Sequence, residues 1–316
     1  MAFTDRLKVA ELAGGSVVNS QSHTTQYRHA RPASLPMRVS IVEDMSTQNT
    51  PRFATIRLND RGAWRPITVT FFSAEGGEGK LLAEFPYNAQ ISSTELDSLP
   101  TVTFTADQLG PVVPNPGKIF CVGLNYREHI AEMGHPIPDH PTLFVKYASA
   151  LAGPFDEVVV PPELSAQADY EGELAVIMGE SGQIAGYAVM NDFSQRDWQY
   201  RTQQWLQGKN LDRSSGFGPW MVPAEHFDPV AEGAVLRTWV NGELRQEHSV
   251  ADLVFKPQDL VDYISDFASL APGDVIVTGT PEGVGHGMTP PQYLADGDEV
   301  RIAIDGIGEI CNRINC

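Results

Sequence analysis

Asp169-Tyr-Glu-Gly-Glu-Leu-Ala-Val176 is the most informative stretch of this sequence, because it places two glutamates in a predicted β-strand. Glu171 and Glu173 are two residues apart, a spacing that points both side chains to one face. A third carboxylate, Asp192, follows a second strand-like run, residues 186–191. Converging carboxylates repel one another unless a cation lies between them, and oxygen ligands suit Mg²⁺ or Mn²⁺. The alternative is that both glutamates line the solvated face of an edge strand.

The charge of the chain limits its partners. The 316 residues carry a formal net charge of −18, with an isoelectric point near 4.7. This argues against binding to nucleic acid and to anionic membrane surfaces. An anionic small-molecule substrate would therefore need positive charge concentrated at its own site.

Cysteine usage and the N-terminus predict a cytoplasmic location. Three cysteines, Cys121, Cys311 and Cys316, form no paired framework, which is typical of a reduced, intracellular protein. The first residues lack the apolar core of a signal peptide, and no run approaches the roughly 18 apolar residues of a membrane span.

The chain divides at a proline-rich linker near residues 111–117. We expect residues 1–110 to form an N-terminal arm and a small β-rich domain, and residues 115–316 to form the catalytic domain. In the second part, residues 235–240 meet Asn241-Gly242, a strong hairpin signal. Residues 257–270 predict one amphipathic helix with Leu260, Val261, Ile264 and Phe267 on its apolar side. The fold class is therefore α+β, dominated by β-structure, with few helices.

A short predicted helix supplies a candidate base. His129 and Glu132 are three residues apart and share a helical face. A carboxylate orients an imidazole and stabilises its protonated form, which makes a usable general base near neutral pH. The alternative is an incidental ion pair on a surface helix. Because prolines follow it, this helix is also a candidate lid.

Several motifs occur in an order that resembles the fumarylacetoacetate hydrolase family. The matching segments lie between about residue 115 and the C-terminus and leave residues before about 110 uncovered. They are Val122-Gly-Leu-Asn-Tyr-Arg-Glu-His129, Pro141-Thr-Leu-Phe-Val-Lys146, Asp169–Leu174, 186–192, Ser194-Gln-Arg-Asp-Trp-Gln199, Gly208-Lys209, Gly218-Pro-Trp220, Val240-Asn-Gly-Glu243, 272–283 and Gly297-Asp298.

The resemblance implies a twisted, roll-like β-fold, usually in a homodimer. Family members use Mg²⁺ or Mn²⁺, and in some cases Ca²⁺, to chelate a 2-oxo or diketo acid. Some cleave a carbon–carbon bond, and others decarboxylate or tautomerise related acids. We expect a hydrolase of acylpyruvate or fumarylpyruvate type in aromatic catabolism. The alternatives are an isomerase of a 2-hydroxy-dienedioate or a decarboxylase of a 2-oxo acid such as oxaloacetate.

Specific roles follow from the resemblance. Glu171, Glu173 and Asp192 correspond to metal ligands, and His129 with Glu132 to the dyad that activates water. The groups near the substrate are Lys209, as a catalytic cation, with Arg196, Gln199 and Thr280. From the residues alone, Arg196 could instead pair with Asp197, Lys209 could be a solvated loop cation, and Thr280 a plain turn residue.

The sequence also departs from the family pattern and leaves other interpretations open. Only residues 179–185 join the two acidic stretches, where relatives usually have a helix, which puts local packing and a dimer surface in doubt. A non-catalytic metal-binding scaffold is one alternative. A nucleotide site at the glycine-rich residues 283–287 has little support, because this segment lacks the Lys-Ser/Thr of a phosphate loop.

Overall fold

Short β-strands and a few helices make up the chain, as the sequence predicts. The computed structural model describes residues 50–58, 63–73, 76–88, 91–132, 137–164 and 166–316. The helices there are α1 Ser93–Ser98, α2 Arg127–Glu132, α3 Arg196–Gln199, α4 Leu206–Lys209 and α5 Pro257–Ser265. The strands are β1 Phe53–Ile56, β2 Arg65–Ser73, β3 Gly76–Leu81, β4 Thr101–Phe104, β5 Ile119–Gly123, β6 Thr142–Val145, β7 Leu151–Ala152, β8 Val158–Val159, β9 Ala168–Asp169, β10 Gly172–Met178, β11 Ile184–Asn191, β12 Ser194–Gln195, β13 Ser215–Pro223, β14 Val235–Val240, β15 Glu243–Ser249, β16 Val275–Val277, β17 Glu299–Ile304 and β18 Gly308–Asn315.

One large sheet runs through most of these strands. Its order is β4-β3-β2-β1-β13-β11-β10-β16-β5-β6, with β7 paired to β13. Most neighbours are antiparallel, whereas β16 and β5 run parallel. Every residue of β10, Gly-Glu-Leu-Ala-Val-Ile-Met, is buried, and the strand lies between β11 and β16 rather than at an edge of the sheet. The edge-strand interpretation of Glu173 is therefore wrong.

A tight hairpin joins the two acidic stretches. Gly179 N–H donates to the carbonyl of Gln183 at 2.7 Å, and the chain turns through positive φ at Ser181 (56°) and Gly182 (74°). The short connection therefore leads directly from β10 into β11 and keeps the two strands adjacent.

The predicted N-terminal strands continue the same sheet. Phe53 of β1 pairs with Met221 of β13, so β1 to β4 extend the sheet that carries the acidic strands. A shared hydrophobic core includes Phe53, Ile119, Ala175 and Val277. The division near residue 110 stays a prediction about folding units.

A second sheet is formed by five strands between residues 158 and 315. Its order is β15-β14-β17-β18-β8. The predicted hairpin is confirmed, since β14 and β15 meet at Asn241 (φ 53°) and Gly242 (φ 82°). β9 and β12 form a separate two-stranded ribbon, in which Asp169 lies opposite Ser194. This ribbon brings the start of the first acidic stretch beside the segment that follows the second.

One helix is shorter than the sequence predicts. α5 ends at Ser265, and it buries Leu260, Val261 and Ile264 as expected. Phe267 lies beyond the helix and is 62% exposed, so its predicted place on the buried side is wrong. Its ring packs edge-on against Phe120 instead. Among the described residues, no helix combines the length and apolar character that a membrane crossing requires.

Candidate metal centre

The register of β10 and β11 brings the three predicted metal ligands together. Glu173 lies within β10, Glu171 directly precedes that strand, and Asp192 directly follows β11. Asp192 N–H donates to the carbonyl of Glu171 at 2.9 Å, which fixes the two strand ends side by side. All three carboxylates are buried, and each offers an oxygen within 4.8 Å of the others. The prediction that these three carboxylates converge is therefore confirmed, whereas their role as metal ligands stays a prediction.

Buried cations neutralise part of this cluster. Lys209 Nζ lies 2.6 Å from Glu171 Oε2 and 2.8 Å from Asp192 Oδ2. On the other side of Asp192, Lys146 Nζ lies 2.9 Å from Oδ1. Burial disfavours the Lys209 ammonium, but Asp192 and Glu171 outweigh it and raise the pKa of Lys209 above its ordinary value. Lys209 is thus a buried, charged part of the site rather than a solvated loop cation.

Arg196 links the cluster to a further carboxylate. Its Nη1 lies 2.6 Å from Glu171 Oε1, and its Nε and Nη2 each lie 2.8 Å from Asp169 Oδ2. Nη1 also donates to Gln199 Oε1 at 2.9 Å. The alternative pairing of Arg196 with Asp197 is wrong, since Asp197 lies 3.9 Å from Arg201 instead.

Within the described residues, Glu173 is the one predicted metal ligand that has no lysine or arginine nitrogen within 4.0 Å. Its Oε2 accepts a hydrogen bond from Gly279 N–H at 2.5 Å. Burial, then the charges of Asp192 and Glu171, raise the pKa of Glu173 well above its ordinary value. Repulsion of this kind is relieved when a cation lies between the carboxylates. The donor set, three carboxylates in a buried site, fits a hard divalent ion such as Mg²⁺ or Mn²⁺.

Two of the three carboxylates, Glu171 and Glu173, line a pocket of about 360 Å³. Six of the predicted site residues line it: Glu171, Glu173, Arg196, Gln199, Lys209 and Thr280. This volume is in the range of small-molecule sites. The pocket and the acidic cluster are therefore one site.

The hydroxyl of Thr280 makes two buried hydrogen bonds within the protein. Its hydroxyl donates to the carbonyl of Gly172 at 3.0 Å and accepts from Gln246 Nε2 at 2.8 Å. These bonds fix the turn after β16 beside the ligand strand β10. Substrate contact by Thr280, which also lines the pocket, stays a prediction.

The predicted dyad lies on α2, whose backbone spans Arg127–Glu132. The side chains of His129 and Glu132 lie outside the described part of the structure. Val122, Gly123 and Leu124, which line the pocket, come shortly before this helix. The roles of His129 as base and of Glu132 as orienting carboxylate stay predictions.

A second group of titratable side chains contacts the same helix. His248 Nε2 lies 3.4 Å from Glu128 of α2 and 3.1 Å from Asp252, and its Nδ1 lies 3.4 Å from Glu282. His248 belongs to β15, and Glu282 follows the turn that holds Thr280. These contacts tie α2 to the second sheet and to the pocket turn.

Several residues of the site were missed by the sequence analysis. Lys146 is the last residue of the motif Pro141–Lys146. A charged side chain directly after the apolar strand β6 could have marked it as a site residue. Asp169 opens the first acidic stretch, but its pairing with Arg196 depends on the β9–β12 ribbon. His286 and Tyr200 line the pocket, and no local pattern marks them for that role.

A family model described as fumarylacetoacetate (FAA) hydrolase C-terminal matches residues 118–315. The chain belongs to the fumarylacetoacetate hydrolase family. The predicted family and its β-dominated fold are thus confirmed. The family consists of enzymes whose members typically depend on a divalent metal, in line with the acidic cluster described above.

Similar proteins in this family have named activities. The chain is 40% identical over 273 residues to the human protein "Oxaloacetate tautomerase FAHD2A, mitochondrial", covering 82% of this chain and 83% of that protein. It is 42% identical over 217 residues to "Oxaloacetate tautomerase YisK" of Bacillus subtilis, covering 64% and 71%. The names of these two relatives support the predicted alternative, an isomerase or decarboxylase, better than the hydrolase that we expected.

A solved structure extends the comparison to the fold. The 5-carboxymethyl-2-hydroxymuconate delta-isomerase of Mycobacterium smegmatis superposes with a TM-score of 0.69 at 30% identity. The match covers 84% of this chain and 99% of that one. The predicted homodimer and cytoplasmic location stay predictions, and the human relative is named as mitochondrial.

Proposed function

We propose that this family member is a divalent-metal-dependent tautomerase that interconverts the keto and enol forms of oxaloacetate. The observation that carries the proposal is the convergence of Glu171, Glu173 and Asp192 at one side of a pocket that the buried Lys209 also lines. Identities of 40% and 42% to two oxaloacetate tautomerases support this choice of reaction over hydrolysis.

The acidic cluster would hold the metal ion. Glu171, Glu173 and Asp192 offer the oxygens, and a bound Mg²⁺ or Mn²⁺ would act as a Lewis acid toward the 2-oxo group and its enolate. The buried neighbours set the charge of this site. Lys146 Nζ lies 2.9 Å from one oxygen of Asp192 and places a compensating ammonium group beside that carboxylate.

Lys209 supplies a hydrogen-bond donor at the reacting end of the substrate. Because Asp192 and Glu171 hold its ammonium charged, Lys209 acts as a donor to the developing enolate oxygen rather than as a base. Arg196 and Gln199, which are bonded to each other at 2.9 Å, orient the adjacent substrate carboxylate. Such fixed donors stabilise negative charge without having to reorganise during the reaction.

Tautomerisation also needs a group that moves a proton at C3. We assign this step to the imidazole of His129, oriented by Glu132. A water molecule is not consumed, so the dyad serves proton transfer instead of hydrolysis. The place of α2, a few residues after the pocket-lining Leu124, supports this assignment.

A second candidate is the isomerisation of a 2-hydroxy-dienedioate. It is favoured by the 30% identity and full-length match to an isomerase of this substrate class. Both reactions move a proton along a metal-bound enol, and the same side chains would serve each of them.

Product analysis over a substrate panel tests the proposal. Oxaloacetate, a 2-hydroxy-dienedioate and an acylpyruvate would each be followed by ultraviolet enol absorbance, with pyruvate and CO₂ measured in parallel. The proposal predicts rapid, Mg²⁺-dependent enol loss from oxaloacetate without a matching yield of pyruvate or CO₂. Stoichiometric pyruvate from the acylpyruvate alone would instead identify a hydrolase.

A further inference from the structure

His286 lies in the pocket wall on a turn that is fixed to the metal centre. The turn Gly285–Gly287 follows the loop after β16. Gly285 N–H donates to Asp169 Oδ1 at 2.8 Å, and His286 N–H donates to Asp169 Oδ2 at 3.0 Å. Asp169 in turn holds Arg196, which contacts Glu171. The position of His286 is thus set relative to a metal ligand through two shared partners.

Aromatic neighbours fix the orientation of the His286 ring. Nδ1 lies 2.9 Å from the hydroxyl of Tyr293, and the two rings stack at 6.2 Å between centroids. Tyr200 also packs against the His286 ring, with 5.3 Å between the two ring centroids and an interplanar angle of 33°. Tyr200 is 48% exposed and also lines the pocket, so this aromatic group lies where the pocket meets solvent.

Three side chains among the described residues that line the pocket can carry positive charge. Lys209 contacts Glu171 and Asp192, and Arg196 contacts Glu171 and Asp169, so both cations are paired with carboxylates of this site. A third pocket-lining side chain that can carry positive charge is His286. A dicarboxylate whose 2-oxo end lies at the metal centre needs hydrogen-bond donors for its second carboxylate.

We propose that His286 and Tyr200 form a subsite for the distal carboxylate of the substrate, with Tyr293 as the residue that positions His286. The ligand class is a short 2-oxo or 2-hydroxy dicarboxylic acid bound with its other end at the carboxylate cluster. This subsite rests on the proposed function for its substrate class, and it adds the group that selects diacids over monoacids. With Nδ1 held by Tyr293, we assign the contact with the carboxylate to Nε2.

The test compares two substrates that differ in one charge. For His286→Leu, we expect KM for oxaloacetate to rise about tenfold or more, the size of a lost charge-assisted hydrogen bond, with kcat little changed. KM for the 4-methyl ester of oxaloacetate should stay the same. Tyr293→Phe should shift KM for the diacid in the same direction but less, again with kcat unchanged. His226→Leu, at an exposed histidine outside the pocket lining, is the matched control.

Three results would overturn the subsite. Equal changes in KM for the diacid and the ester would show a general distortion of the pocket. A fall in kcat with KM unchanged would make His286 an acid–base group. An unchanged KM for the diacid would remove it from recognition.

A binding measurement separates this proposal from the proposed function. Malate and lactate share a 2-hydroxy acid end, and malate adds the distal carboxylate. Calorimetry in Mg²⁺ should show malate binding weakened about tenfold or more by His286→Leu, with lactate binding unchanged. If the wild-type protein fails to tautomerise oxaloacetate but shows this pattern, the subsite stands and the proposed reaction is wrong. If malate and lactate weaken equally, the subsite is wrong whatever the reaction.

Discussion

Lys209 Nζ lies 2.6 Å from Glu171 Oε2, so a buried lysine side chain contacts one of the carboxylates that we assign to a metal ion. The same ammonium lies 2.8 Å from Asp192. A divalent ion bound at this cluster would therefore share two carboxylates with Lys209, and the charge balance of the site would depend on both.

Removing the lysine charge should destabilise the metal-free protein. Lys209→Met keeps most of the apolar stem but leaves Glu171 and Asp192 with less compensation, which typically costs about 3–5 kcal/mol for a buried pair. Urea unfolding in EDTA would measure this loss. Mn²⁺ should recover more stability in the variant than in the wild type, because the ion restores positive charge. Arg213→Met is the control, since its pair with Asp156 is largely exposed and is expected to contribute at most about 1 kcal/mol.

The raised pKa of Glu173 predicts a pH dependence of metal-free stability. Burial, Asp192 and Glu171 raise its pKa in the folded state above the ordinary value of 4.5. Between these two pKa values the folded chain keeps a proton that the unfolded chain has lost. The free energy of unfolding therefore falls as pH rises through this window.

Glu173→Gln tests this sign. In EDTA, the variant should be more stable than the wild type near pH 8, and the difference should vanish near pH 4. Glu180→Gln changes an exposed glutamate in the β10–β11 turn and should leave the pH dependence as it is. Identical pH profiles for Glu173→Gln and the wild type would contradict the buried, cation-free state of this carboxylate.

Asp169 should be a major contributor to the stability of the pocket wall. Its two oxygens accept from Tyr170, Gly285 and His286 N–H groups and from the Arg196 guanidinium. Asp169→Asn removes one acceptor oxygen and the charge that Arg196 needs, so we expect a loss of about 3–5 kcal/mol in urea unfolding. Asp197→Asn should cost little, since the nearest cation of Asp197 lies 3.9 Å away. A loss of similar size in both variants would argue against this role.

The contact of His248 with Glu128 predicts that His248 stabilises α2, the helix that carries the predicted dyad. His248→Ala removes the link to Glu128 and should speed hydrogen exchange of the amides in Arg127–Glu132. We expect kcat/KM to fall about tenfold or less, because the base is less often in place. Unchanged exchange in α2, measured by mass spectrometry, would show that His248 does not hold this helix. His226→Ala is the control at an exposed histidine.

The convergence of the metal ligands was predictable because it depends on local geometry. Glu171 and Glu173 lie at the start of one strand, and a short hairpin returns the chain to Asp192. The partners of these ligands were harder to predict. Lys146 lies 46 positions before Asp192 and follows β6 at the far end of the sheet order, so its approach depends on the whole tertiary fold.

Helix ends and pocket walls show the same limit. The apolar spacing predicted the buried side of α5, but the end of the helix at Ser265 left Phe267 exposed, and no strong stop signal marks this position. His286 lies in the glycine-rich segment 283–287, which lacks the Lys-Ser/Thr of a phosphate loop and therefore gave no prediction of a binding site. Its place in the pocket depends on Asp169, more than a hundred residues earlier.

In the proposed reaction, Glu171, Glu173 and Asp192 hold the ion that drives tautomerisation. The most direct measurement is the rate of enol loss from oxaloacetate in stopped-flow absorbance, for wild type and Glu171→Gln, each with Mg²⁺ and with EDTA. We predict rapid exchange only in wild type with Mg²⁺, and rates at the uncatalysed level in the other three cases. Full activity of Glu171→Gln, or of the wild type in EDTA, would contradict the claim.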